Sequence, residues 1–128
     1  MIMRVSFFIS FCLLFFSAFS QDVWIAPESS KAIKNPYSGN VIAAQKGERL
    51  FQKLCWTCHG KAGLGDGPAA TALNPKPRSF ALSSVQEQKD GEFFWKISNG
   101  KGMMIPYKHS LDEELRWQLI NYIRTFKQ

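Results

Sequence analysis

Cysteine is scarce in this 128-residue chain, with three in all. One of them, Cys12, lies in an N-terminal apolar stretch, so two thiols serve the rest of the chain and a disulfide framework is excluded. Histidine is scarcer still, at two residues. Cys55, Cys58, His59 and His109 are then the whole supply of zinc-type N/S ligands. His59 directly follows Cys58, an awkward arrangement for both to enter one closed four-ligand zinc site. No strand-period segment of useful length occurs, nor any internal repeat. No run of Lys and Arg marks a nucleic-acid tract, and nucleic acid is not an expected partner. The glycine-rich stretch from Gly60 to Gly67 lacks a Gly-Lys-Ser/Thr ending, which rules out a P-loop. No βαβ pattern surrounds the two cysteines, and Trp56 lies between them, so a thioredoxin-like pair is disfavoured. A bare Cys55–Cys58 bridge stays open.

What is present is the run Cys55-Trp56-Thr57-Cys58-His59. Two thiols three positions apart, followed at once by an imidazole, form the attachment signature of a c-type haem. The thiols can add across the two vinyl groups of protoporphyrin, giving two thioethers. His59 then lies under the macrocycle, where its imidazole can ligate iron. The expected cofactor is one covalently attached haem c, with its iron.

Residues 1–20 carry Arg4, then an apolar run from Val5 to Phe19 of about 15 residues, below the roughly 20 that span a hydrocarbon core. A basic start, a short apolar stretch and small Ala18 and Ser20 near its end read as a secretory signal, with cleavage after Ser20. A retained membrane anchor is the alternative. Loss of Arg4 lowers the net charge from +6 to +5. That balance favours docking on acidic protein faces. The remaining 21–128 suit one domain whose core is limited and which a buried haem would enlarge.

The coarse reading is all-α. Residues 21–40 look extended or irregular, broken by Pro27, Asn35, Pro36 and Gly39, with Val23, Trp24, Ile25 and Tyr37 able to pack on the domain. A helix is expected over 41–54, although Gly47 inside it costs about 1 kcal/mol relative to Ala. That glycine is tolerable where another helix must approach closely. Residues 60–77 read as a loop with a helical piece near 69–73, its glycines letting the backbone fold tightly around one haem edge. A helix over 91–98 ends at Asn99-Gly100. The last helix, 112–126, carries Leu115, Leu119, Tyr122, Ile123 and Phe126 on one stripe. Asp112 can cap it, or Ser110 can, in a capping box with Glu113.

Iron held by His59 alone is open to small molecules. A protein sixth ligand closes it and makes an electron-transfer centre. The segment from Gly100 to Tyr107 holds Met103 and Met104 between glycines and Pro106, suited to presenting a thioether from a loop. His109 is the bis-histidine alternative.

With Gly47, Phe51, the motif at 55–59, Gly65-Asp66-Gly67-Pro68, the methionine loop and Arg116-Trp117 through Tyr122-Ile123-Arg124, the chain resembles a class I c-type cytochrome of the small bacterial monohaem kind. The resemblance covers about 41–126. It implies a cytochrome c fold, with first and last helices crossed around one covalent haem. The expected organisation is a signal peptide at 1–20, an arm at 21–40 and the cytochrome domain at 41–128. In the family a proline usually follows the ligand methionine, with an aromatic two residues beyond. Here Ile105 intervenes, and counting back from Tyr107 selects Met104 over Met103. The resemblance also makes the Pro68 carbonyl the acceptor for the His59 N–H. Arg78 is a candidate partner for a haem propionate, and Trp95 a candidate pocket wall.

The function implied is one-electron transfer in a respiratory chain outside the cytoplasm, in the periplasm, with no catalytic turnover. A quinol-oxidising membrane complex or dehydrogenase would be the donor and a terminal oxidase or reductase the acceptor. Two alternatives are a haem-bearing subunit fixed in a membrane respiratory complex and a five-coordinate haem enzyme or sensor.

Overall fold

The computed structural model describes residues 23–128. Five α-helices lie within them: α1 (Val41–Leu54), α2 (Trp56–His59), α3 (Ser83–Gln86), α4 (Asp90–Asn99) and α5 (Glu113–Arg124). Short 3-10 turns cover Glu28–Ala32 and Ala70–Ala72. Among the described residues there is no strand, only an isolated bridge between Lys101 and Met104.

Helix α1 starts at Asn40, whose side chain accepts the Ala43 N–H at 2.9 Å. That bond satisfies one of the donors a helix start leaves free. The buried face of α1 is Ala43, Gly47 and Phe51, and it meets α5. At Gly47 the two backbones approach closely: a Cβ there would stand 1.9 Å from the Gln118 carbonyl oxygen. The glycine cost inside the helix is therefore offset by the approach it permits. One turn on, Phe51 is fully buried, its ring 5.2 Å from that of Tyr122 and 5.5 Å from that of Phe126. Burying such a side chain contributes roughly 2–3 kcal/mol.

The cap of α5 is settled. Asp112 accepts the Leu115 N–H at 2.9 Å. The Ser110 hydroxyl is turned instead to the Tyr107 carbonyl, at 3.5 Å, so the capping box with Glu113 does not form. Trp117, Leu119, Ile120 and Ile123 of α5 fill the centre of the core with Phe93 and Ile97 of α4.

The arm is more ordered than its prolines suggest. Residues 28–32 make a 3-10 turn behind Pro27, which occupies the position before the first helical residue. The turn packs on α4 at Gly91, where a Cβ would stand 1.9 Å from the Ser30 carbonyl oxygen. The Asn35 amide donates to Asp90 at 2.8 Å. Asp90 also receives Arg124 Nε at 2.7 Å, and Arg124 reaches the Gln86 carbonyl at 2.6 Å while lying over the Phe93 ring. Arm, α3, α4 and the end of α5 are thereby joined at one guanidinium. The expected leader, 1–20, lies outside the described residues.

Candidate haem site

The motif continues α1. The Cys55 N–H bonds to the Phe51 carbonyl at 2.9 Å, and the Cys58 and His59 N–H groups both return to the Cys55 carbonyl, at 3.2 and 2.9 Å. That single turn puts residues three apart on one side, so the two thiols share a face. Both are free, so the bridge reading is set aside for this structure. Among the described residues no group of three or more His, Cys, Asp or Glu is placed to hold a metal ion, which leaves the zinc reading without support.

The glycine loop folds back over the motif. Ala69, Gly67 and Gly65 donate to the carbonyls of Thr57, Cys58 and His59, at 2.9, 3.2 and 2.8 Å. A Cβ at Gly67 would stand 2.2 Å from the Thr57 oxygen, and one at Gly65, where φ is +76°, 2.1 Å from the Pro77 oxygen. The atoms that exclude side chains here belong to the chain itself. Sequence reasoning assigned that crowding to a haem edge.

His59 is packed against aromatic rings. Its imidazole stacks on Phe80 with centroids 4.9 Å apart and planes 19° from parallel, and Phe80 stacks in turn on Phe126. Nδ1 is buried and makes no hydrogen bond, so the bond expected to the Pro68 carbonyl is absent. Burial pushes the imidazole down to about 4, so it is neutral near pH 7, the form that ligates iron. Burial, with Cys58 beside it, pushes the Cys55 thiol up to about 12. A thioether there would have no thiolate to desolvate.

The methionine loop is held at both ends. Lys101 and Met104 exchange two backbone bonds of 3.0 Å, with Gly100 and Gly102 beside them at φ +63° and +56°. Met103 is 79% exposed, whereas Met104 packs on the core. After the loop, Tyr107 and Lys108 donate to the carbonyls of Ile97 and Ser98, at 3.0 and 3.2 Å. The Tyr107 hydroxyl donates to the Leu54 carbonyl at 3.3 Å, drawing the loop's end to the residue before Cys55. Burial and then the charges of the two cysteines raise the Tyr107 pKa. Tyr107 is thus a site residue that sequence reasoning used only to count from.

The other candidates scatter. Arg78 is exposed and donates to the Ser84 hydroxyl at 3.0 Å. Trp95 is half-buried and outside the core cluster, and His109 is exposed on the turn before α5. Pro68 is exposed beside Gly67. Phe80 and its anchor Gln86 were missed, because nothing local in 79–86 announces a ring packed on residue 59.

These residues fit a c-type haem. Two free thiols share a helical turn, the adjacent imidazole is neutral with an unpaired buried nitrogen, and a thioether loop is tied to the same turn. Large apolar side chains stand exposed in the flanking segments at Leu54, Leu64, Leu82, Met103 and Ile105.

No curated protein matches this chain. Among solved structures, a chain of the Kuenenia stuttgartiensis reducing HAO-like protein complex Kustc0457/Kustc0458 is 23% identical with TM-score 0.66 over 75% of this chain, which spans half of that chain's length. Cytochrome cL from the marine methylotroph Methylophaga aminisulfidivorans is 20% identical, with TM-score 0.58 over 88% of this chain and 71% of its own. The KustC0563 c-type cytochrome is 33% identical, with TM-score 0.52 over 64% of this chain and 98% of its own. The first two establish likeness of fold alone. The family described as cytochrome c oxidase, cbb3-type, subunit III matches residues 42–123. With the attachment motif inside that span and the crossed α1 and α5 around it, the chain belongs to the class I c-type cytochromes, an electron-transfer family whose cofactor is covalently bound haem c.

Proposed function

We propose that the protein is a periplasmic one-electron carrier of a respiratory chain, with His59 and Met104 as the two axial ligands. Cys55 and Cys58 hold the haem as thioethers, each formed when a thiol S–H adds across a vinyl group. When bound, the haem supplies exchange of a single electron between ferrous and ferric iron. The chain supplies everything else. His59 presents a neutral imidazole, and Met104 a thioether from a loop pinned by Tyr107. Methionine in that place favours the ferrous state. Trp95 walls the pocket, the Pro68 carbonyl is the acceptor for the His59 N–H once haem is bound, and Arg78 turns from Ser84 to a propionate. Met104 over Met103 is the observation that carries this reading: one methionine of the pair packs inward and its neighbour is 79% exposed.

Redox partners follow from the net charge of +6, or +5 without Arg4, which suits acidic faces on a donor and an acceptor. A quinol-oxidising complex or dehydrogenase fits as donor, and a terminal oxidase or reductase as acceptor. The leader at 1–20 is the ground for export. Carbon monoxide tests the closed site. The ferrous spectrum of the matured protein should stay unchanged on adding the gas, and prompt conversion to a carbonyl spectrum would indicate an open, five-coordinate centre.

A second reading is a haem subunit fixed in a membrane complex. The family description, that of an oxidase subunit, favours it. No helix among the described residues is long and apolar enough to cross a membrane, so attachment would lie with the leader or with partner subunits. Retention of the native protein on membranes through a high-salt wash would select this reading, and release into the wash would select the free carrier.

A further inference from the structure

We propose that the groove between α1 and α5 seats a second copy of this chain, with the basic rim of one copy laid on the acidic rim of the other.

The groove has a volume of about 490 Å³ and lies on the outer side of the helix crossing. Its α1 rim is Lys46, Arg49 and Lys53. Three and then four positions separate them, so all three project from one stripe of the helix. Its α5 rim is Asp112 and Glu114, and the floor between is Leu50 and Leu115, both half-buried. The two rims do not neutralise each other. Among the described residues, the three cations make no ion pair and no side-chain hydrogen bond. The carboxylates are engaged only within their own helix: Asp112 accepts the Leu115 N–H at 2.9 Å, and Glu114 the Gln118 amide at 2.8 Å.

The order of residues along the groove decides the symmetry. Gly47 meets Gln118 at one end, and at the other Tyr107, just before α5, reaches the Leu54 carbonyl. The helices therefore run in opposite directions, with Lys53 at the Asp112 end and Glu114 level with the stretch from Arg49 to Lys53. A two-fold axis lying along the groove keeps every residue at its level and exchanges the rims, so basic meets acidic twice over. An axis across the groove would set cations on cations. With the axis along it, the floor leucines of both copies meet in the middle, an apolar seam between charged flanks like that of a helix bundle. A foreign acidic face would gain from one rim and be repelled by the other, which is why a second copy fits better. The net charge of +6 opposes approach at long range, and about 0.15 M salt confines that repulsion to roughly 8 Å. Cys55 follows the Lys53 end, so both attachment turns lie at the same end of the pair.

The test uses matured holoprotein in about 0.15 M salt, followed by sedimentation velocity at rising concentration. The wild type should pass from monomer to dimer. Arg49→Glu and Glu114→Lys should each weaken the dimer about tenfold or more, because the two-fold repeats every reversed contact. An equimolar mixture of the two variants should recover the wild-type affinity, since one copy then carries cations at both positions and the other carboxylates at both. If Glu114→Lys does not mature, the double variant Lys46→Glu/Lys53→Glu should show the same weakening. A wild type that stays monomeric throughout would overturn the proposal, as would a dimer indifferent to these changes or a mixture that does not recover. A monomer that binds poly-L-glutamate and loses it in Arg49→Glu would give the groove to a foreign acidic partner, and would overturn the proposal too.

Discussion

Gly47 and Gln118 meet backbone to backbone: a Cβ on the glycine would lie 1.9 Å from the glutamine's carbonyl oxygen and 2.5 Å from its carbon. No rotamer change relieves such a contact, because both atoms belong to the main chain of α5. This crossing sets the angle at which α1 delivers Cys55 and α5 delivers Tyr122 and Phe126 to the same aromatic cluster.

Gly47→Ala should therefore push the two helices apart in spite of alanine's better helix propensity. A loss of about 3 kcal/mol is expected, at the upper end of overpacking costs, or roughly 12–24 °C in Tm. Thermal unfolding of the holoprotein measures it. A variant as stable as the wild type would mean that the helices do not touch there.

The methionine pair separates by exposure. Met104→Ala should abolish the ferric sulfur-to-iron charge-transfer band and lower the reduction potential, whereas Met103→Ala should leave both. The absorption spectrum of each ferric variant decides. Loss of the band in Met103→Ala alone would transfer the ligand role to the exposed neighbour.

Much of this arrangement was legible in the sequence. The motif at 55–59 needs no fold to be read, and the stripe along α5 and the Asn99-Gly100 stop gave helix positions to within a few residues. The glycine at 47 also forecast its own close contact. Other features have tertiary causes. Ser110 and Asp112 are both good caps by spacing, and the choice falls to Asp112 because the Ser110 hydroxyl faces the Tyr107 carbonyl. The four residues of α3 are too few to show a period, and they are held by Gln86 bonding to Phe80 and Ile123. Pro27 reads as a breaker, yet it starts a turn whose burial depends on Gly91, 64 positions on. The Phe80 wall depends on contacts with residues 59 and 126, which no local pattern encodes.

The arm should loosen without disturbing the haem. Asn35→Ala removes the bond to Asp90 and should cost about 1–2 kcal/mol, since the acceptor is charged. Arg124→Ala breaks the partly exposed pair with Asp90 and the bonds to Gln86, and about 2–3 kcal/mol is expected after allowing for solvent screening. Hydrogen exchange should quicken across residues 23–40 in both variants, while the reduction potential stays fixed in Asn35→Ala. Unchanged exchange in the arm would show that Asn35 and Arg124 do not hold it.

Lys96 gives a dependence on pH. Its ammonium lies over the Trp24 ring, 5.7 Å from the centroid, and bonds to Gln88. Burial lowers its pKa below 10.5; Glu92 opposes that shift, and Arg78 and Lys101 reinforce it. With the folded value below the unfolded one, both states are protonated at neutral pH and the folded chain bears the burial cost in full. As pH rises through the folded value toward 10.5, the folded lysine loses its proton first and the cost fades. The stability of Lys96→Met relative to wild type should therefore decline as pH rises from neutral through about 10.5. Denaturant unfolding at several pH values measures it, and a constant difference would mean that Lys96 is not held in a desolvated position.

The most direct measurement of the central claim is the mass of the peptide spanning 55–59, taken from protein matured in a host that attaches haem. One haem should be added to that peptide and survive acid extraction, and Cys55→Ser should leave a single thioether at Cys58. Recovery of the bare peptide with two free thiols from properly exported protein would contradict the account.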